Sequence, residues 1–383
     1  MRADVAVIGA GVVGSATALE LARRGASVAL LEAEPHPGLQ ASGTNSGILH
    51  TGFDSIPGEL ETELILRAAE FRDSVLEALG VPMVRCGALM RSVGEGDGDA
   101  IAHLTENALR NGVEVELGDE GLEIPGESIT DPVAFTLELA AAAERHGAEL
   151  HTGFRVDALD ANGDRIMLSQ AGGEPLAARL VVNCAGLGAG QVARLAGDES
   201  FEVYPRKGEF LVFDPPAGEP LDRILLPVPA ERTKGVLVFP TTDGKVVAGP
   251  TAVDQDDPED WSVRVQASEE ILPKAEAMYP PLAGAEPVFS YAGLRPAGRG
   301  GLNYLITLSA ACPGLVNVAA IRSTGLTASL AIAERIAKLL AGEGVALTDP
   351  APLQPGSPEP LPGPWWRRTA DHRAARVAED GTR

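Results

Sequence analysis

Asp4-Val5-Ala6-Val7-Ile8-Gly9-Ala10-Gly11-Val12-Val13-Gly14 is the stretch that decides how this chain folds. The apolar run to Ile8 reads as a strand, Gly9-x-Gly11-x-x-Gly14 as the turn, and Ser15 to Arg24 as a helix. A second apolar strand, Ser27 to Leu31, ends on Glu32. Gly9 permits the tight turn, Gly11 lets the backbone approach a pyrophosphate, and Gly14 lets helix and strand pack closely. Val12 and Val13 open the helix, whose N–H groups and partial positive charge favour phosphate. Glu32 stands where a carboxylate accepts hydrogen bonds from ribose hydroxyls. Taken alone, the turn admits either NAD or FAD.

Length and composition narrow the class. At 383 residues two domains are expected. No run of eighteen apolar residues occurs, so no transmembrane segment is expected, and the first strand leaves no room for a signal peptide. Cys86, Cys184 and Cys312 are widely separated, which predicts no metal centre and no disulfide framework and suits the cytoplasm. A net charge of −23 disfavours nucleic acid and anionic lipid. Any small anionic substrate then needs local Arg or Lys against the overall field.

Further along, Gln40 to Gly52 is rich in small and polar residues, with Ser42, Thr44, Asn45 and Ser46 offering hydrogen bonds. Periodicity predicts a helix from Glu59 to Leu79 and another from Ile101 to Asn111, with a turn over Gly94 to Asp99. Asp131-Pro132 caps a helix running to Arg145. Val84 to Ser92, Leu150 to Val156 and Arg179 to Asn183 read as strands, the last within an apolar run that ends on small residues at Gly186. Short β-like runs separated by Pro and Gly between Phe201 and Phe289 predict a mostly antiparallel sheet. The last helix is expected over Ala328 to Leu340. The organisation expected is α/β. A discontinuous Rossmann-like cofactor domain takes 1–80, 131–200 and 290–342; an inserted, mostly antiparallel α+β substrate domain takes 81–130 and 201–289. Residues 343–383, Pro-rich and then charged, read as a disordered tail; Trp365-Trp366-Arg367-Arg368 offers a peripheral membrane or partner contact.

Four separated motifs in order make the chain similar to FAD-dependent oxidoreductases of the D-amino-acid oxidase/glycine oxidase type. They are Gly9 to Gly14 with Glu32, Asn45-Ser46-Gly47 with His50, Asn183-Cys184-Ala185-Gly186, and Gly325-Leu326-Thr327. Within that family, Thr44 to Gly52, Pro205 to Phe210 and Lys234 to Thr241 most resemble FAD-dependent glycerol-3-phosphate dehydrogenases; L-2-hydroxyglutarate dehydrogenases are similar in the first and last motifs. The resemblance implies that Gly9, Gly11, Gly14 and Glu32 hold the ADP half of FAD. Ser42, Thr44, Asn45 and Ser46 would line the pyrophosphate and flavin. It further implies that Val156 contacts the adenine, that Ala185 and Gly186 pack beside the dinucleotide, and that Gly325, Leu326 and Thr327 start a helix aimed at the flavin. Arg322 and Thr324 stand where relatives usually carry an acidic residue and a proline, which brings Arg322 towards the flavin edge or out to solvent. The cysteine-bearing C-terminal domain of longer relatives is missing, so the electron acceptor (oxygen, quinone or another protein) stays open.

Oxidising a secondary alcohol removes a hydride from carbon and a proton from the hydroxyl. His50 is the candidate for the proton and Arg295 for clamping a carboxylate or phosphate, with Lys207 and Lys234 as weaker anion contacts. The competing readings are local hydrogen bonding for His50, a structural ion pair for Arg295 and solvated lysines. Amine oxidation on an amino acid, NAD-dependent chemistry and a non-catalytic flavoprotein subunit are the alternative functions.

Overall fold

The computed structural model describes residues 1–91, 97–218, 220–229 and 235–380. Its first sheet is built on five parallel strands, in the spatial order Glu149–His151, Val28–Leu31, Arg2–Ile8, Leu176–Asn183 and Leu315–Ala319. Leu305–Leu308 adds an antiparallel edge beyond the last of these. A hairpin, Ala158–Asn162 with Arg165–Ser169, leans antiparallel on the start of Leu176–Asn183. Val28–Leu31 and Leu315–Ala319 are buried at every residue, as apolar strands covered on both faces must be. The helices Val12–Arg23, Pro132–Arg145 and Gly325–Gly342 pack together on this sheet. Alanines at Ala16, Ala140 and Ala331 keep their axes close, and each fully buried Leu adds roughly 2 kcal/mol. The Asp131 cap is formed: its Oδ1 accepts from the N–H groups of Val133 and Ala134, both at 2.9 Å.

The second sheet has nine strands. It is antiparallel except where Ile224–Pro227 runs parallel to Ala88–Arg91. Residues 88–91 and 116–124 therefore share this sheet with the strands of 203–254. The long strand Val203–Phe213 pairs in register with Phe289–Gly298, from Val203 opposite Gly298 to Val212 opposite Phe289. Residues 290–298, expected with the cofactor domain, thus pair into the second sheet. A third, small sheet joins Ile48–Leu49, Ser128–Thr130 and Met83–Val84. It ties the chain just before His50 to the chain just after Glu127.

Local expectations changed in several places. The strand expected over Val84 to Ser92 is two among the described residues, Met83–Val84 and Ala88–Arg91, in different sheets. The helix expected over Glu59 to Leu79 is two, Leu60–Ala69 and Arg72–Ala78, because Phe71 takes a non-helical φ of −140°. The strand expected over Leu150 to Val156 stops at His151, and the following residues turn into the dinucleotide cleft. The last helix begins at Gly325, three residues earlier than its periodicity predicts. A helix starts at Asp97, where a turn was expected to run on to Asp99.

The largest correction is the tail. Trp365–Asp380 is a helix docked on both sheets' domains. Trp365 and Trp366 are buried in the cap core, against Tyr291 and Phe289 respectively, and Trp366 Nε1 donates to Asp243 at 3.0 Å. Further along the helix, Arg368 donates to the carbonyl of Pro37, and His372, Arg373 and Arg376 converge on Glu34. Composition misleads here because two aromatic anchors outweigh a polar average, and their partners lie far away in sequence.

Candidate active site

The first cavity is the crevice at the C-terminal ends of the parallel strands, where an open α/β sheet binds its ligand. Gly9 sits there at φ +98°, and an added Cβ would lie 2.6 Å from the Cys184 carbonyl. At Gly14 a Cβ would lie 1.9 Å from the Gly9 carbonyl, so helix and turn touch backbone to backbone. Gly11, Val12 and Val13 line the crevice, and Ser42 Oγ accepts from the Val12 N–H at 3.0 Å. The Glu32 carboxylate accepts from the N–H groups of Ala10 (2.7 Å) and Glu34 (2.9 Å). Burial raises its pKa, and those two hydrogen bonds counter the shift in part. Asn45, Val156, Ala185 and Gly186 line the same crevice, as do Arg322 and, at the start of the helix Gly325–Gly342, Gly325 and Leu326. Glycines that admit no Cβ, a helix N-terminus and a fixed carboxylate are the donor set that FAD's pyrophosphate and ribose require. The residues fit the cofactor.

Ala41, Asn45 and Arg322 are shared with a second cavity, which opens beneath the cap sheet. Thr44 and Ser46 line this second chamber, not the crevice, together with His50 and Arg295. Phe210, Leu237 and Phe239 supply an apolar wall. Each of the two candidate catalytic side chains is held by a partner the sequence did not point to. His50 Nδ1 lies 3.1 Å from Glu127 Oε2, and Glu127 is fully buried. Arg295 donates through Nε to the Arg206 carbonyl (3.2 Å) and through Nη2 to the carbonyls of Lys207 (3.1 Å) and Thr251 (2.9 Å). Among the described residues no carboxylate lies within 4 Å of it and its Nη1 makes no hydrogen bond. Burial, then repulsion from Arg206 and Arg322, lowers its pKa to about 10. A guanidinium so placed is stabilised by an incoming anion.

Other expected site residues stand elsewhere. Lys207 is 1% exposed and pairs with Asp260 at 2.7 Å, outside both cavities, so it is a buried structural cation and not a substrate contact. Lys234 lies outside the described residues. Gly14 shapes the turn without lining it. Thr324 and Thr327 are buried and line neither cavity. Thr324 Oγ1 bonds to Tyr304 and Glu61, whereas Thr327 Oγ1 accepts from the His50 N–H at 3.0 Å and so braces the His50 segment. Sequence reasoning missed Glu127 and Arg206, which arrive through sheet pairing, and Glu61, which lines the chamber from the helix Leu60–Ala69 and accepts a hydrogen bond from Asn303. Among the described residues no group of three His, Cys, Asp or Glu could hold a metal ion, and no helix is long and apolar enough to cross a membrane.

A dinucleotide crevice running into a chamber lined by His50, Arg295 and an apolar wall defines a dinucleotide-dependent oxidoreductase. The chain belongs to the FAD dependent oxidoreductase (DAO) family, whose sequence model matches residues 4–339, and FAD is its cofactor. It is 28% identical to a glycerol 3-phosphate dehydrogenase of Caloramator mitchellensis, over 88% of this chain and 73% of that one. It is also 28% identical to the glycerol 3-phosphate oxidase of Mycoplasma pneumoniae, over 88% and 94%. The structure of L-alpha-glycerophosphate oxidase from Mycoplasma pneumoniae, dithionite-reduced and with FAD bound, superposes with a TM-score of 0.87 at 26% identity, covering 94% of this chain and all of that one. Glycine oxidase from Geobacillus kaustophilus superposes at 0.79, also at 26% identity and with the same coverage.

Proposed function

We propose that this enzyme oxidises the secondary hydroxyl of a small phosphorylated or carboxylated alcohol, with glycerol 3-phosphate as first substrate and dihydroxyacetone phosphate as product. The observation that carries the reading is the shared chamber: a histidine base and an anion-seeking Arg295 line one cavity adjoining the dinucleotide crevice. Bound FAD supplies the acceptor for the hydrogen and electron pair that leave carbon. The chain's own residues do the rest. Arg295 binds the anionic end through Nη1, in a site where three backbone carbonyls already fix its plane. His50 takes the hydroxyl proton at Nε2, since Nδ1 is engaged by Glu127. Phe210, Leu237 and Phe239 line the same chamber and limit the water that reaches these groups. Arg322, lining both cavities, adds positive charge where the cofactor and the substrate meet.

Relatives of both kinds match along most of this chain, since the L-2-hydroxyglutarate dehydrogenase of Arabidopsis thaliana is 29% identical over 88% of it. Glycerol 3-phosphate is placed first because the glycerophosphate oxidase structure superposes over 94% of this chain with a TM-score of 0.87. Oxygen, a quinone or a protein takes the electrons onward, and the three unpaired cysteines suit work in the cytoplasm. Anaerobic mixing of the purified yellow enzyme with each candidate tests the reading. Glycerol 3-phosphate is expected to bleach the flavin band near ~450 nm. If bleaching occurs only with L-2-hydroxyglutarate or with a small amino acid, the substrate assignment fails; if it occurs with none, so does the catalytic one.

A further inference from the structure

Glu127 lies 77 positions from His50 in sequence, yet meets it in the chamber wall. It is 0% exposed, and among the described residues the hydrogen bonds of its carboxylate run to His50 and Thr51. Oε2 faces His50 Nδ1 at 3.1 Å, while Oε1 accepts from both the N–H (2.7 Å) and the hydroxyl (2.9 Å) of Thr51. Two donors on Oε1 suit an acceptor-only carboxylate. The buried Arg72 is near enough for opposite charges to act on each other, and its Nη1 donates to the His50 carbonyl at 3.2 Å. Close approach is built into the backbone too: a Cβ on Gly126 would come within 2.8 Å of Thr51 Cγ2. The remaining backbone link is the His50 N–H to Thr327. The imidazole is therefore held from both ends, by a carboxylate on the ring and a threonine on the main chain.

We infer that Glu127 is a positioning residue for the alcohol oxidation proposed above: it keeps the His50 proton on Nδ1, so that Nε2 presents its lone pair to the substrate hydroxyl. The inference rests on that reading for its role, but not for its geometry. The step it serves is a proton transfer alone. The substrate O–H bond breaks, an N–H bond forms at Nε2, and the electron pair stays on the substrate oxygen. The imidazolium that results directs its two N–H groups at the Glu127 carboxylate and at the substrate oxygen, which stays on its carbon. A carboxylate behind it stabilises that charge and consumes nothing.

Glu127→Gln tests this directly, since glutamine keeps the shape and retains an oxygen for the two Thr51 donors. Its amide would donate to Nδ1, forcing the proton onto Nε2 and turning the base into a donor. Two-bond 1H–15N spectra of the histidine-labelled holoenzyme at about pH 8, with His50→Gln used to assign the signal, should show His50 protonated on Nδ1 in the wild type and on Nε2 in the variant. The turnover number should fall by about 100-fold or more with KM within about threefold, and Glu127→Asp should recover part of it. A wild-type His50 already protonated on Nε2, or an unchanged turnover in Glu127→Gln with normal flavin content, overturns the inference. A loss of thermal stability or flavin content with no change of tautomer would reduce Glu127 to a structural role. Because the tautomer is read without substrate, a wrong choice of substrate leaves this test standing and is exposed by the bleaching experiment instead.

Discussion

The Glu34 carboxylate and the Arg373 guanidinium, 339 positions apart, meet at 3.2 Å beside the dinucleotide crevice. Arg373 also holds Glu259 at 3.0 Å, and Glu259 lines the crevice from the cap side. One side chain of the C-terminal helix thus joins both lips of the cofactor site, with His372 and Arg376 reinforcing the Glu34 end. Arg373→Ala should speed FAD release several-fold, and truncation after Leu361 should do so by at least about tenfold while also uncovering the cap core. Flavin fluorescence after dilution measures both. Burial favours protonation of Glu34, but the hydrogen bond from His372 and the charges of Arg373 and Arg376 outweigh it and hold the pKa below normal. The clasp is therefore at full strength above the ordinary carboxylate range and is lost as pH falls through the lowered value. FAD retention should weaken on acidification in the wild type more steeply than in Arg373→Ala.

Gly14→Ala should abolish flavin binding. Its methyl would overlap the Gly9 carbonyl, and no flexible side chain is available to yield. The helix would have to move off the turn, at a cost in the overpacking range of about 1–3 kcal/mol or more. A colourless or insoluble product is expected, and a yellow protein with wild-type absorbance ratios would contradict the close packing described.

Arg295→Met should raise KM for an anionic substrate by about 100-fold, in line with about 3 kcal/mol for a charged hydrogen-bonded contact, and change the turnover number less. The wild type also has a pH signature. Burial, with repulsion from Arg206 and Arg322, lowers the Arg295 pKa to about 10, so the free protein gives up that proton sooner than an unfolded chain. Above about 10 the unfolded chain binds more protons, and stability gains with pH in that window; below it the cost is constant. Anion affinity runs the other way and should drop as pH rises through about 10. Steady-state KM across pH 8 to 11 checks this.

Asp260→Asn should destabilise the cap. It would strand the buried Lys207, whose hydrogen bond, with help from Ser262, lowers the Asp260 pKa to about 2. Because the Asp260 side chain is 44% exposed, water screens the pair, and on the order of 1 kcal/mol is expected rather than the full value of the shift. That contribution is present above the ordinary aspartate pKa and lost as pH falls towards 2. Thermal melts of wild type and Asp260→Asn should converge at low pH; a constant gap would argue that the pair contributes by packing alone.

The cofactor half of the site was legible because its chemistry is local. Gly9, Gly11, Gly14 and Glu32 lie within 24 residues, and Gly9 and Gly14 are demanded by backbone contacts to Cys184 and Gly9, whereas Gly11 faces the Ser42 side chain. His50 and Arg295 were legible as residue types, but their partners were not. Glu127 reaches His50 through the pairing of Ile48–Leu49 with Ser128–Thr130, and Arg295 is fixed by carbonyls on a neighbouring strand. Lys207 shows the reverse case: it looked like a free anion contact until the fold placed Asp260 against it and buried both its stem and its charge.

Periodicity, turn glycines and an ordered set of motifs were enough to establish a Rossmann-like FAD domain with an antiparallel cap, because those signals report backbone geometry within a few residues. Which carboxylate stands behind the base, which lysine is spent on a buried pair, and whether a Pro-rich tail folds depend on contacts between positions tens to hundreds of residues apart. Such contacts cannot be read from local spacing, since side-chain ionic and aromatic partners are chosen by packing. The C-terminal helix is the clearest instance: its own sequence is too polar to fold by burial, and it becomes ordered only where Trp365, Trp366 and Arg373 find a core and a pair of carboxylates already in place.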